Sequence, residues 1–122
     1  MCIRDRACID ECPPGALTDY EIDSNKCISY QTIEHRGEFD ESSVDLDSWI
    51  YGCDICQEVC PWNKKFSKIT PEKSFYPRSK IIENTIADWQ KLNEEEFRKI
   101  FKRSSVKRTK HTGLKRNIKN NL

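Results

Sequence analysis

The stretch "GCDICQEVCPWN", residues 52–63, constrains this chain more than any other. Cys53, Cys56 and Cys60 are followed by Pro61. They match the last three thiols of the run C-x2-C-x2-C-x3-C-P, in which three cysteines wrap one iron–sulfur cluster and the fourth reaches a second cluster. A further C-x3-C-P ending occurs at Cys8, Cys12 and Pro13. Counting back in threes from Cys8 reaches Asp5 and Cys2, while Ile50 stands where the other run would begin. Cys27 is the one cysteine left over, and it arrives across a 25-residue insertion. Two such runs cross-ligate. Cys12, Cys27, Cys53 and Cys56 are therefore expected around one cluster, and Cys8 and Cys60, with Cys2, around the other.

Position 5 departs from the template, because Asp5 stands where a thiolate belongs. Either a carboxylate supplies that corner, or the first six residues do not continue the motif and Cys2 falls at its spacing by coincidence. Zinc is the other metal to weigh. Its sites favour paired C-x2-C knuckles, often with histidine, and only Cys53 and Cys56 form one. Seven cysteines in 122 residues are too many to be buried small hydrophobes alone.

The chain is long enough for one domain. Its apolar fraction is 36% and its charged fraction 34%, so its core must be thin and a metal staple is expected. The odd cysteine count, with no apolar leader in "MCIRDRACIDEC", argues for a reducing compartment rather than a disulfide framework. No run of about 18 apolar residues offers a membrane span.

Two segments follow: an iron–sulfur domain over residues 1–63, and an irregular strap with a helical basic extension over 64–122. "ALTDYEI" reads as a small hairpin and "CISYQTIEHRG" as a short helix ending at Gly37. "EFDESSVDLDS" reads as an acidic surface loop. In "NEEEFRKIFKRS", Asn93 and Glu96 have the spacing of a capping box ahead of Phe97, Ile100 and Phe101. Further on, Val106, Leu114, Ile118 and Leu122 recur at helical intervals, with Gly113 expected to break the helix. The expected class is α+β: a ferredoxin-like dicluster 4Fe–4S core followed by an α-helical C-terminal extension.

Residues 98–122 hold ten Lys or Arg and no acid, whereas the remaining 97 residues carry 11 basic and 20 acidic side chains. Such an arm suits a polyanion. Its best candidates for RNA contact are Lys107, Arg108, Lys110, Lys115 and Arg116. Trp49, Trp62 and Trp89 are expected in the core or as cluster shields, Trp62 in particular screening a cluster from water. His35 and His111 have no metal-ligand spacing and are expected on the surface.

The segments "ACIDECPPGALTDYEIDSNKCISYQTIEHRGEFD", "WIYGCDICQEVCPWNKKF" and "EFRKIFKRSSVKRTKHTGLKRN" resemble the C-terminal part of epoxyqueuosine reductases. The resemblance runs from about residue 7 onward and implies an oxidoreductase with two 4Fe–4S clusters and cobalamin. Such an enzyme takes electrons from an external donor and reduces epoxyqueuosine to queuosine in the anticodon region of certain tRNAs. It implies further that the catalytic acid lies in an N-terminal domain this sequence lacks. The chain would then be a monomeric relay fragment, inactive alone. By position, Ser29, Thr32, Glu34 and Asp54 would line the cobalamin pocket. Two other readings remain: a free-standing dicluster ferredoxin, which leaves the basic arm unexplained, and a zinc-stabilised RNA-binding module, which leaves the C-x3-C-P endings unexplained.

Overall fold

The computed structural model describes residues 5–40 and 45–121. The cysteine-bearing half consists of short elements. Helix α1 (Ala7–Asp10) is followed by the hairpin β1 (Leu17–Thr18) and β2 (Glu21–Ile22), then by α2 (Ile28–Ile33), α3 (Ile55–Glu58) and α4 (Pro61–Phe66). The hairpin pairs Leu17 with Ile22 and Thr18 with Glu21 in antiparallel register. Part of the expected acidic loop, residues 41–44, lies outside the described residues, as does Leu122. The fold is α+β, as expected, with a minimal sheet and an all-helical second half.

That second half holds α5 (Ser79–Glu83), α6 (Ile86–Lys91), α7 (Glu94–Ile100) and α8 (Lys110–Asn120), with a 3-10 turn over Ser105–Thr109 leading into α8. The Asn93 side chain accepts from the Glu96 amide at 2.9 Å, and the Glu96 carboxylate accepts from the Asn93 amide, so the capping box forms. A second box, not foreseen, joins Thr85 and Asp88 at the start of α6. The main apolar cluster is Leu92, Phe97, Phe101, Leu114 and Ile118, flanked by Ile50, Tyr51, Trp89, Ile100 and Val106. A smaller buried set, Ala16, Ile28 and Leu46, lies in the cysteine-bearing half. Both are small, as the composition required.

Polar side chains join the two halves. A six-residue helix such as α2 leaves most of its C-terminal carbonyls without intrahelical partners. Here α8 and its leading turn supply the donors. Thr109 Oγ1 and Asn117 Nδ2 both donate to the Thr32 carbonyl at 2.8 Å. Arg116 donates to the carbonyls of Gln31, His35 and Gly37 at 2.9, 3.0 and 2.9 Å, and packs 4.1 Å from the centre of the Phe39 ring. Asn117 also donates to Ile50 O, and Asn121 to Trp49 O, each at 2.9 Å. Among the described residues no buried side-chain nitrogen or oxygen lacks a partner.

Gly113 does not break α8; the helix runs straight through it. The glycine is needed for space. A Cβ at position 113 would lie 2.8 Å from Thr109 Oγ1, the atom that reaches back to Thr32. Thr109 is buried and has nowhere to retreat.

Two predictions follow from this junction. Replacing Gly113 with alanine gains about 1 kcal/mol of helix propensity, but overpacks the site and breaks a buried hydrogen bond, each costing about 1–3 kcal/mol. Gly113→Ala should therefore lower the denaturation midpoint, and a midpoint above that of the parent would contradict this packing. Arg116→Lys keeps the charge but loses the planar fork that serves several oxygens at once. A stability loss of about 2–3 kcal/mol is expected in a urea melt.

Candidate metal centre

Five of the six described cysteines are each placed by a local device. Cys27 and Cys60 are the N-cap residues of α2 and α4, both extended (ψ 119° and 118°), so the chain turns sharply into a helix just after the thiol. Pro61 occupies the first turn of α4, where a missing N–H costs nothing. Cys12 ends the α1 segment ahead of the Pro13–Pro14 corner, and the Gly15 amide closes onto the Cys12 carbonyl at 2.9 Å. Gly52, immediately before Cys53, has φ +76°, a left-handed conformation strained for any side chain. Cys56 lies on α3.

These devices bring Cys12, Cys27, Cys53 and Cys56 around one cavity, whose other walls are Pro13, Pro14, Ala16, Leu17, Ile22, Ile28 and Ile55. Both ends of the hairpin register, Leu17 and Ile22, are among those walls, which gives the small sheet its use. Cys8 and Cys60 are half-buried and do not line this cavity. Helix α1, which carries Cys8, packs on α3, and Cys60 lies two residues beyond the end of α3. Cys2 lies outside the described residues. None of the six described cysteines is in a disulfide.

Burial pushes the thiols of Cys53 and Cys56 above the ordinary range. An Ile55 backbone contact partly offsets this at Cys53, as does the Gln57 side chain at Cys56. Repulsion from the neighbouring cysteines, Cys27 and Cys12 among them, raises both further. For Cys53 and Cys56 the thiolate form is disfavoured in this apolar pocket, and a cationic centre beside them reverses that penalty. No three His, Cys, Asp or Glu side chains among the described residues close on one point as they would around a single ion. An all-thiol donor set spread around a shared apolar cavity fits an iron–sulfur cluster.

The cobalamin candidates are placed differently from one another. Asp54 is exposed beside Cys53, and Ser29 is half-buried on α2. Glu34 is paired with the Arg108 guanidinium, which holds the arginine pKa above its ordinary value. Thr32 requires a correction. It is 0% exposed, its hydroxyl donates within α2 to Ile28 O at 2.8 Å, and it is not available to a ligand.

The basic candidates divide as well. Lys107 and Lys110 are exposed. Arg108 is exposed but engaged with Glu34, and Lys115 donates to the Gln90 carbonyl. Arg116, expected on a polyanion-binding surface, is 7% exposed and its guanidinium faces inward onto α2. Burial lowers its pKa, which the Glu38 carboxylate partly offsets. Trp62 is 47% exposed and stacks on Phe66, so it is a poor screen against water. His35 and His111 are half-buried rather than on the surface. His35 stacks on Phe39, and His111 packs against Phe97 with Nε2 2.9 Å from Leu92 O. Thr109 and Asn117 escaped the sequence reading. Their one legible sign was the i, i+4 pairing of Thr109 with a glycine.

Residues 1–63 match the family described as "4Fe-4S double cluster binding domain". An epoxyqueuosine reductase of Leadbetterella byssophila is 49% identical over 113 residues, covering 92% of this chain and 36% of that protein. The structure of epoxyqueuosine reductase from Bacillus subtilis superposes on the whole chain with a TM-score of 0.80 at 31% identity, over 33% of its own length. A crystal structure of an epoxyqueuosine reductase with an epoxyqueuosine-modified tRNA-Tyr stem loop matches with a TM-score of 0.70 at 29% identity, covering 100% of this chain and 32% of that one. The chain spans about a third of the length of the curated relatives it matches. It belongs to the 4Fe–4S double cluster binding family, and along its length it is similar to the epoxyqueuosine reductases, which are oxidoreductases.

Proposed function

We propose that this chain is the C-terminal electron-relay part of an epoxyqueuosine reductase, working in the cytoplasm with cobalamin and a tRNA anticodon stem-loop. The observation that carries the reading is the four-cysteine apolar cavity, in a chain 49% identical to a protein of that name. Cys12, Cys27, Cys53 and Cys56 would hold one cluster, and Cys8 and Cys60 would serve the other, with Cys2 and a group at position 5 completing it. Bound there, 4Fe–4S clusters store and pass single electrons, at potentials set by burial and by hydrogen bonds to sulfur. The chain's own residues supply the dry walls, through Leu17, Ile22, Ile28 and Ile55, and the thiols.

Asp54, exposed beside Cys53, and Ser29 and Glu34 on the α2 segment are the side chains we assign to the cobalamin side of the relay. Among the basic residues, Lys107 and Lys110 are exposed, and each can neutralise a phosphate. A structural neighbour that carries a tRNA stem loop supports this role for the arm. No described helix is long and apolar enough to cross a membrane.

Iron and acid-labile sulfide, measured after anaerobic purification, test the relay. About eight of each fit two clusters and about four fit one, whereas zinc without sulfide overturns the reading. For the arm, the Lys107→Ala/Lys110→Ala pair should weaken binding to an anticodon stem-loop. The slope of log affinity against log salt should fall by about one per lysine. Unchanged slope and affinity would remove these two residues from the RNA surface.

A further inference from the structure

We infer that Thr32 is a positioning residue for the four-cysteine centre, its hydroxyl clamping together the two backbone segments that present Cys27 and Cys53. The inference rests on the reading that these cysteines hold a cluster.

Thr32 Oγ1 donates to the Ile28 carbonyl at 2.8 Å, with Ser29 O nearby at 3.2 Å, and accepts from the Gly52 amide at 3.0 Å. Ile28 directly follows Cys27, and Gly52 directly precedes Cys53. One hydroxyl thus spans the 25-residue insertion and sets the spacing of two thiols on the same cavity. A hydroxyl suits this place because it donates and accepts at once. The position of Gly52 is otherwise costly to define, since its φ of +76° is open only to a flexible residue and a Cβ there would meet nothing within 4 Å. The hydrogen bond that the Gly52 N–H donates to Thr32 Oγ1 is the side-chain contact that holds this glycine.

The clamp is anchored from behind. The Thr32 carbonyl receives Thr109 Oγ1 and Asn117 Nδ2, and Asn117 also holds Ile50 O, two residues before Gly52. Both strands of the clamp therefore end on α8. Thiolates forced together repel, and without a fixed spacing the pocket would relieve that repulsion by opening. A ligand shell held by neighbouring hydrogen bonds is the usual means of keeping a metal centre's geometry.

Thr32→Val is the near-isosteric test, because it keeps the volume and removes the hydroxyl, leaving the Gly52 amide unpaired. Thr32→Ser keeps the hydroxyl, and Leu114→Ala lowers stability in the apolar cluster without touching the clamp. Each 122-residue protein would be reconstituted anaerobically. Loss of the visible iron–sulfur absorption to a chelator and the EPR spectrum of the reduced form would then be recorded. Thr32→Val should lose its cluster on the order of tenfold faster with an altered EPR signal. Thr32→Ser should stay near the parent, and Leu114→Ala should melt earlier with an unchanged signal. A valine protein identical to the parent overturns the inference, as does a Leu114→Ala protein with the same spectral change. Should the valine protein not fold, amide exchange over residues 50–53 of the parent decides the matter. Protection at Gly52 supports the clamp, and free exchange overturns it. A parent that binds no iron or sulfide sinks the proposed function instead, which separates the two failures.

Discussion

Everything else in this protein depends on the carbonyl-rich end of α2 being met by side chains of α8. A six-residue helix is below the length at which helices persist on their own, because nucleation is unfavourable and few bonds follow it. The apolar cluster does not reach α2; of the α2 residues only Ile28 is a buried hydrophobe. What fixes α2 is therefore directional. Thr109, Arg116 and Asn117 donate to Gln31, Thr32, His35 and Gly37. With α2 fixed, its N-cap Cys27 is fixed too, and the residues that make the metal cavity and those that make the basic arm form one unit.

The same logic recurs across the second half and gives some of its basic side chains a structural role. Arg78 donates to the carbonyls of Ile100 and Lys102 at the end of α7, and Lys115 to Gln90 near the end of α6. Each is a cation at a helix C-terminus, where the backbone dipole is negative. With helices of five, six, seven and eleven residues the second half has several such ends, and basic side chains serve two of them. Only part of the positive charge is then left for a polyanion, and Lys107 and Lys110 are on that part of the surface.

Spacing rules survived the passage from sequence to structure where the physics is local. The hairpin at Leu17–Ile22 and the Asn93–Glu96 box both formed, because a two-residue turn and an N-cap depend on neighbours in the chain. Sequence spacing misleads where a residue's role is set by a distant partner. Gly113 looks like a helix break until Thr109 Oγ1 is seen in the space its Cβ would fill. Arg116 looks like a phosphate contact until the open carbonyls of α2 are seen beneath it. Thr32 looks like a ligand contact until its hydroxyl is found bridging Ile28 and Gly52. Polar residues are the hardest to read in a chain with so little apolar core, because here they do the packing that hydrophobes do elsewhere.

The two stores of stability differ in what they need. The cluster of Leu92, Phe97, Phe101, Leu114 and Ile118 contains no cysteine and is held mainly by apolar contact, with His111 at its edge against Phe97 and Leu92 O. The cavity of Cys12, Cys27, Cys53 and Cys56 has apolar walls but unfavourable contents, since desolvation first and repulsion from neighbouring cysteines second raise the pKa of Cys53 and Cys56, a penalty that a cationic centre reverses. Between them lies the hydrogen-bonded seam from Thr32 to Asn117, which involves neither metal nor hydrophobic burial. Through this seam the helical half is joined to α2, and through α2 to Cys27 and the Gly52–Cys53 turn, so the placement of two of the thiols depends on side chains of α8 and its leading turn.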